Sequence, residues 1–264
     1  MKIANAIFFL LVSLCSAGSF DHGRNNTSNI QGRISTDSVV VGNLAGAWIF
    51  DHDAGGNYWD YSPLGTNNGT TTNAPMWESG HLAFNGTSTT VYANSMVSAL
   101  STNPTGAWCA WIRPHITPSG SFDFFLSMGD SGTINYCALY VSTTREFGAT
   151  CRNPSAIQWS IETDGLMTLN EWIHVAILQD GTAAQVMTNG IHVTAVSRPH
   201  TTDNGAWGPD LTAKDNFLMG AFDLNNNGPI QHYDGDISDV RVFNINIGSN
   251  AITDIYRRTV DLPH

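Results

Sequence analysis

The chain has 264 residues, with 22 acidic against 11 basic side chains and a formal charge of −11 at pH 7. That balance leaves no basic stripe to neutralise phosphates, which makes nucleic acid and anionic membrane surfaces poor partners. An excess of carboxylates and amides instead suits hard cations and polar ligands such as sugars.

In chain order, Lys2, an apolar run over 6–14 and the small residues Ser16 and Ala17 read as a signal peptide over 1–17, cleaved after Ala17. The run is too short for a hydrocarbon core of about 30 Å, and no later stretch is long enough either. The mature chain is therefore expected to carry no transmembrane span and to be secreted or held at the cell surface. Residues 18–42 are polar, without apolar alternation, and are expected to be a flexible segment before one domain over 43–264.

From Leu44 onward, short apolar or alternating runs recur between turn signals, at 45–50, 81–84, 90–92, 107–113, 123–127, 136–141, 146–150, 156–161, 172–178, 184–188, 216–220 and 236–243. A dozen strands without amphipathic helices between them predicts an all-β, two-sheet antiparallel β-sandwich. Asn189-Gly190 is a hairpin signal, because a type I′ turn needs positive φ at both positions. The run around His174 and Val175 is apolar on both alternations, so it is expected to be covered on both faces, with His174 in the core. Cys137 and Cys151 flank a predicted hairpin and would face each other, which in an exported protein suggests a disulfide. Cys109 reads as a small core residue. A short closing helix is expected from Ser249.

Asp223, Asn225, Asn227 and Asp234 match the spacing of a calcium-binding loop, with Asp in place of the final Glu. Tyr58, Trp59, Trp77 and Trp207 stand in loop-like surroundings and are candidates to stack on sugar rings. The glutamates Glu78, Glu146, Glu162 and Glu171 are scattered, and no nucleophile elbow or metal-protease helix occurs. The expectation is a non-enzyme.

Three segments, in order, resemble the landmarks of the laminin-G-like jelly-roll family in the concanavalin A-like lectin and glucanase superfamily. They are Gly46-Ala-Trp-Ile-Phe-Asp51 with Asp60-Tyr-Ser-Pro-Leu-Gly65 and His81-Leu-Ala-Phe-Asn-Gly86; Ala110-Trp-Ile-Arg-Pro114; and Glu171-Trp-Ile-His-Val-Ala176 with Thr188-Asn-Gly190 and Tyr233-Asp-Gly-Asp-Ile-Ser-Asp-Val-Arg-Val-Phe243. The resemblance implies a jelly-roll sandwich and a structural calcium at its rim, here on Asp51, Asn67, Asn68, Gly69 and Asp239. His52 and Ser238 depart from the family's pattern at that rim. It also implies an extracellular glycan or glycoprotein partner. The alternatives are a structural or protein-adhesion module, or a glycoside hydrolase with an unfamiliar carboxylate pair.

Overall fold

The computed structural model describes residues 38–51, 55–262 and 264. The expected signal peptide and most of the expected N-terminal segment lie outside the described residues. A helical turn, α1 (Ser38–Gly42), leads into β1 (Leu44–Trp48), β2 (Asn57–Tyr58), β3 (Gly69–Asn73), β4 (Met76–Glu78), β5 (His81–Asn85) and β6 (Thr90–Tyr92). After α2 (Met96–Leu100) come β7 (Gly106–Pro114), β8 (Asp123–Gly129), β9 (Tyr136–Val141), β10 (Glu146–Arg152), β11 (Ile157–Leu166) and β12 (Ile173–Gln179). The remainder holds β13 (Ala184–Thr188), β14 (Ile191–His192), β15 (Val196–Thr201), β16 (Asn216–Met219), β17 (Phe222–Asp223), β18 (Pro229–Ile230), β19 (Asp234–Phe243) and α3 (Ser249–Thr259).

The strands form an eight-stranded sheet, ordered β14-β13-β12-β7-β19-β5-β4 with β1 also on β19, and a nine-stranded sheet, ordered β15-β11-β10-β9-β8-β16-β6-β3-β2. Their ladders are antiparallel, and β17 and β18 make a separate hairpin. Alternation sends every second side chain into the space between the sheets. Trp48, Trp108, Trp159, Trp207 and Phe217 meet there, with Trp108 and Trp207 ring centres 5.0 Å apart and Trp159 stacked on Trp207 at 6.1 Å. Such rings bury the largest apolar areas available to a chain, and their N–H groups need partners. Trp48 donates to the Asn67 carbonyl at 3.1 Å and Trp159 to the Ala206 carbonyl at 2.6 Å.

The outer face of the eight-stranded sheet is also covered. Ile252 and Ile255 of α3 and Val40 of α1 pack over Ala107, Cys109, Ala176, Leu178 and Phe243. This is why β7 and β12 are apolar on both alternations, and why His174 is 1% exposed. Val40, among the last residues of the expected N-terminal segment, belongs to this packing.

Strand β19 pairs with β5 through Asp234–Ile237 and with β1 through Val240–Phe243. The exchange of neighbours falls at a bulge against β7 where Asp239 has φ 44°. The bulge turns Asp239 toward Arg241, whose Nε and Nη2 donate to the carboxylate at 2.7 and 2.9 Å. The Asn189-Gly190 turn has φ of 47° and 72°, as the hairpin signal requires. Cys137 and Cys151 stand directly opposite each other on β9 and β10, as the hairpin predicts, but both are buried free thiols rather than a disulfide.

Candidate ligand-binding face and rim cleft

The outer face of the nine-stranded sheet is built differently. On β9, β10 and β11 the residues Cys137, Leu139, Phe147, Ala149, Trp159 and Ile161 point into the core, so Tyr136, Tyr140, Gly148, Thr150, Arg152, Ser160 and Glu162 point out. Register places Gly148 between Tyr140 and Glu162, and Thr150 between Ala138 and Ser160. A Cβ on Gly148 would lie 2.3 Å from the Tyr140 ring. Its absence lets that ring lie across β10, so that the phenol donates to Glu162 Oε1 at 2.8 Å. Burial first, and the Glu162 carboxylate second, hold this phenol well above its ordinary pKa.

The floor of small residues has an aromatic wall. Phe122 stacks on Tyr140 at 4.4 Å and 13°, Phe124 meets Phe222 at 4.3 Å, and Tyr136 meets Phe222 edge-on at 5.3 Å. The β17–β18 hairpin adds Leu224 and Ile230 to this wall, while Phe122 and Tyr136 keep part of their rings in solvent. On β10 and β11, with Arg152 directly opposite Tyr136, the Arg152 Nε–H and the Ser160 hydroxyl are buried without a hydrogen-bond partner. Leaving such groups unpaired costs about 1–3 kcal/mol each, a cost that a polar ligand would remove.

Where β7 ends and β8 and β19 begin, a cleft of about 260 Å³ opens, lined by Ile116, Phe122, Asp123, Gln231, His232 and Asp234 among others. Phe122 belongs to both the cleft and the aromatic wall, so the two are continuous. Burial pushes the Asp123 carboxyl up to about 6 against the opposing pull of the Asp234 backbone N–H, and the Asp234 charge adds to the rise. Behind the cleft, His115 lies with Nδ1 3.4 Å from Asp234 and Nε2 2.7 Å from Asp236. Asp236 is 1% exposed and is also held by Arg113 Nε at 2.5 Å. The His115 Nδ1 contact, between two part-exposed side chains, orients Asp234.

Of the aromatic candidates from sequence, Trp59 is exposed and Trp77 is half-buried with its N–H on the Phe50 carbonyl at 2.7 Å. Tyr58 and Trp207, 5% and 1% exposed, are core residues and present no face to a ligand. The loop that carries Trp207 folds inward instead of standing at the rim.

The expected calcium donors are engaged elsewhere. The Asn67 amide donates to the Ala45 carbonyl at 2.7 Å, and Asn68 Oδ1 accepts from the Asp60 N–H at 2.9 Å. Gly69 packs against Val91 and Tyr58. Asp51 accepts from the Tyr61 hydroxyl at 2.8 Å, and Asp239 faces the Arg241 guanidinium. The loop is organised by Asp60, whose carboxylate accepts the N–H groups of Ala47, Ser62 and Asn67 and the Ser62 hydroxyl. This donor set does not fit a calcium cage, and among the described residues no three His, Cys, Asp or Glu side chains gather to hold a metal. In the second expected loop, Asn225 and Asn227 are exposed, and Asp223 and Asp234 have different neighbours, Asp215 for one and Asp123 with His115 for the other.

An antiparallel sandwich of two large sheets, one outer face sealed and the other partly open, defines a jelly-roll scaffold. A family model described as the concanavalin A-like lectin/glucanases superfamily matches residues 85–253, and the chain belongs to that superfamily. A sequence search among curated proteins finds no match. Among solved structures, the chain is similar to the CBM40 domain of Ruminococcus gnavus IT-sialidase bound to α2,3-sialyllactose, at 12% identity and a TM-score of 0.56 over 67% of this chain and 96% of that one. It is also similar to Trypanosoma rangeli sialidase in complex with sialic acid, at 15% identity and a TM-score of 0.58, covering 81% of this chain but 33% of the sialidase. The leech intramolecular trans-sialidase aligns at 12% identity and a TM-score of 0.53, over 71% of this chain and 27% of that one.

Proposed function

We propose that this protein is a non-catalytic glycan-binding module, secreted or held at the cell surface, whose ligand lies on the outer face of the nine-stranded sheet and reaches into the rim cleft. The observation that carries this reading is the continuity at Phe122 between a partly exposed aromatic wall and a cleft of carboxylates, an amide and an imidazole. Sugars are bound in that way, with C–H faces on rings and hydroxyls on polar groups. The unpaired Arg152 and Ser160 donors favour a glycan that carries an acidic group. The similar CBM40 structure, solved with sialyllactose, supports sialylated glycans as the first to try. Among the described residues no helix is long and apolar enough to cross a membrane.

The test is a glycan array on the full chain, followed by titration calorimetry with sialyllactose and with lactose. Binding of acidic glycans that weakens about tenfold or more in Phe122→Ala is expected. A blank array would overturn the reading. A second reading, glycoside hydrolysis, rests on the Asp123–Asp234 pair, in which one carboxyl is pushed up toward an acid's working range. Turnover of fluorogenic glycosides that disappears in Asp123→Asn would establish it over simple binding.

A further inference from the structure

At the end of the nine-stranded sheet farthest from β15, an exposed tryptophan stands beside an exposed Asn-x-Thr segment. Asn68-Gly69-Thr70 leads into β3, whose neighbour β2 is the last strand of that sheet. Register pairs Asn57 with Thr70 and Tyr58 with Gly69. Continued by one residue, it sets Trp59 opposite Asn68, and the Asp60 N–H donates to Asn68 Oδ1 at 2.9 Å just beyond that step. Tyr58 and Gly69 are buried, so alternation turns Asn57, Trp59, Asn68 and Thr70 outward, and all four are exposed.

Asn-x-Thr with x other than proline is the acceptor sequence for N-linked glycans, which are bulky and need surface positions. The amide of Asn68 is oriented and half used. Asp60 holds its oxygen, while among the described residues its Nδ2 donates to nothing. The second such segment among the described residues, Asn85-Gly86-Thr87, is built the other way. Asn85 Oδ1 accepts the N–H groups of Thr87, Ser88 and Thr89, and its Nδ2 donates to Ser88 Oγ at 3.2 Å, so both ends of that amide hold a turn. Trp59 is 43% exposed, and an indole left in water at a sheet edge forgoes the apolar contact that such rings ordinarily make.

We infer that Asn68 is an N-glycan acceptor whose first sugar rests on the Trp59 ring. In the transfer, Asn68 Nδ2 bonds to C1 of an oligosaccharide carried on a lipid pyrophosphate. The C1–O bond breaks, the pyrophosphate leaves with the electron pair, and the amide gives up one proton. One Nδ2–H remains, and the Oδ1 bond to Asp60 is kept. Side chains directly opposite on paired strands have Cβ atoms about 4.5–5.5 Å apart, which lets a sugar on one lay its C–H face on the ring of the other. The glycan would stand over edge strand β2, whose unpaired backbone groups otherwise invite another strand. Strands β16, β6 and β3 separate it from β8 and the proposed ligand face. The inference rests on the proposed secretion, since this modification belongs to secreted proteins, and is independent of what the ligand face binds.

The experiment is expression of the full chain in a eukaryotic secretory cell line, wild type beside Thr70→Val, Thr70→Ser and Trp59→Ala, with peptide mapping by mass spectrometry after enzymatic deglycosylation in heavy-oxygen water. Label at Asn68 is expected in the wild type, Thr70→Ser and Trp59→Ala, and none in Thr70→Val, which leaves Asn68 and its bond to Asp60 in place. The wild type should melt roughly 1–3 °C above Thr70→Val. That gap should close when synthesis of the lipid-linked donor is blocked, and also between Trp59→Ala and its Thr70→Val double variant. Chain recovered from the medium with Asn68 unlabelled would overturn the inference and leave secretion standing, whereas unlabelled chain retained in the cytosol would overturn both. A melting gap that persists without Trp59 would overturn the contact between sugar and ring.

Discussion

The two outer faces of this sandwich obey the same alternation and end in opposite states. On the eight-stranded sheet, α3 and α1 cover the face, and the buried Arg241 donates through Nε and Nη2 to both oxygens of Asp239. On the nine-stranded sheet, the cover is limited to a two-strand hairpin, and Arg152 keeps a buried N–H with nothing to donate to. The sealed face pairs its buried Arg241 with a carboxylate, and the open face keeps a buried guanidinium N–H unpaired. A satisfied buried pair marks structure; an unsatisfied donor beside partly exposed rings marks a place for a ligand.

The comparison can be tested arginine against arginine. Arg241→Leu strands the Asp239 carboxylate under α3 and should cost about 3–5 kcal/mol, read as a fall in the denaturation midpoint. His174, on the same sealed face, gives the next largest effect. Burial lowers its pKa to about 3 from 6.5. The unfolded chain therefore takes up a proton as pH falls through 6.5 while the native one does not, so stability present above 6.5 drains away toward pH 3. The loss should reach on the order of 3 kcal/mol at pH 4. His174→Leu should flatten that decline in acid-unfolding curves, and should stabilise at neutral pH by removing two unpartnered ring nitrogens. Arg152→Leu, by contrast, should leave stability unchanged or raise it, by up to about 1–3 kcal/mol, while weakening acidic-glycan binding about tenfold. Equal thermal penalties for the two arginine variants would erase the distinction between the faces.

The sandwich was legible because its signals are local. The Asn189-Gly190 turn, the two-sided apolar run through His174 and the closing helix each lie within a few residues, and each stands where expected. The open face depends on neighbours that the chain does not place side by side. Tyr136 meets Arg152 across a ladder, and Tyr140 reaches Glu162 only because Gly148 intervenes. Trp207 misled for the opposite reason, since its polar, Gly-containing surroundings look like a surface loop although the ring fills the core. Asp239 looked like a rim ligand, but a bulge invisible in the sequence turns it onto Arg241. The signal that could have pointed to the open face was Phe122-Asp-Phe-Phe125, where an acidic residue sits among three rings.

Strand β19 begins at residue 234, yet it lies between β7 and β5 and also supports β1. The centre of one sheet is therefore supplied by the last strand in chain order among the described residues. Until it emerges, β7 lacks one neighbour and β1 has no partner, so the eight-stranded sheet cannot close before residue 234. Folding of this domain should be slow, with a high barrier set by sequence-distant pairing. A chain stalled before Asp234 would present the open edge of β7 to whatever strand it met next.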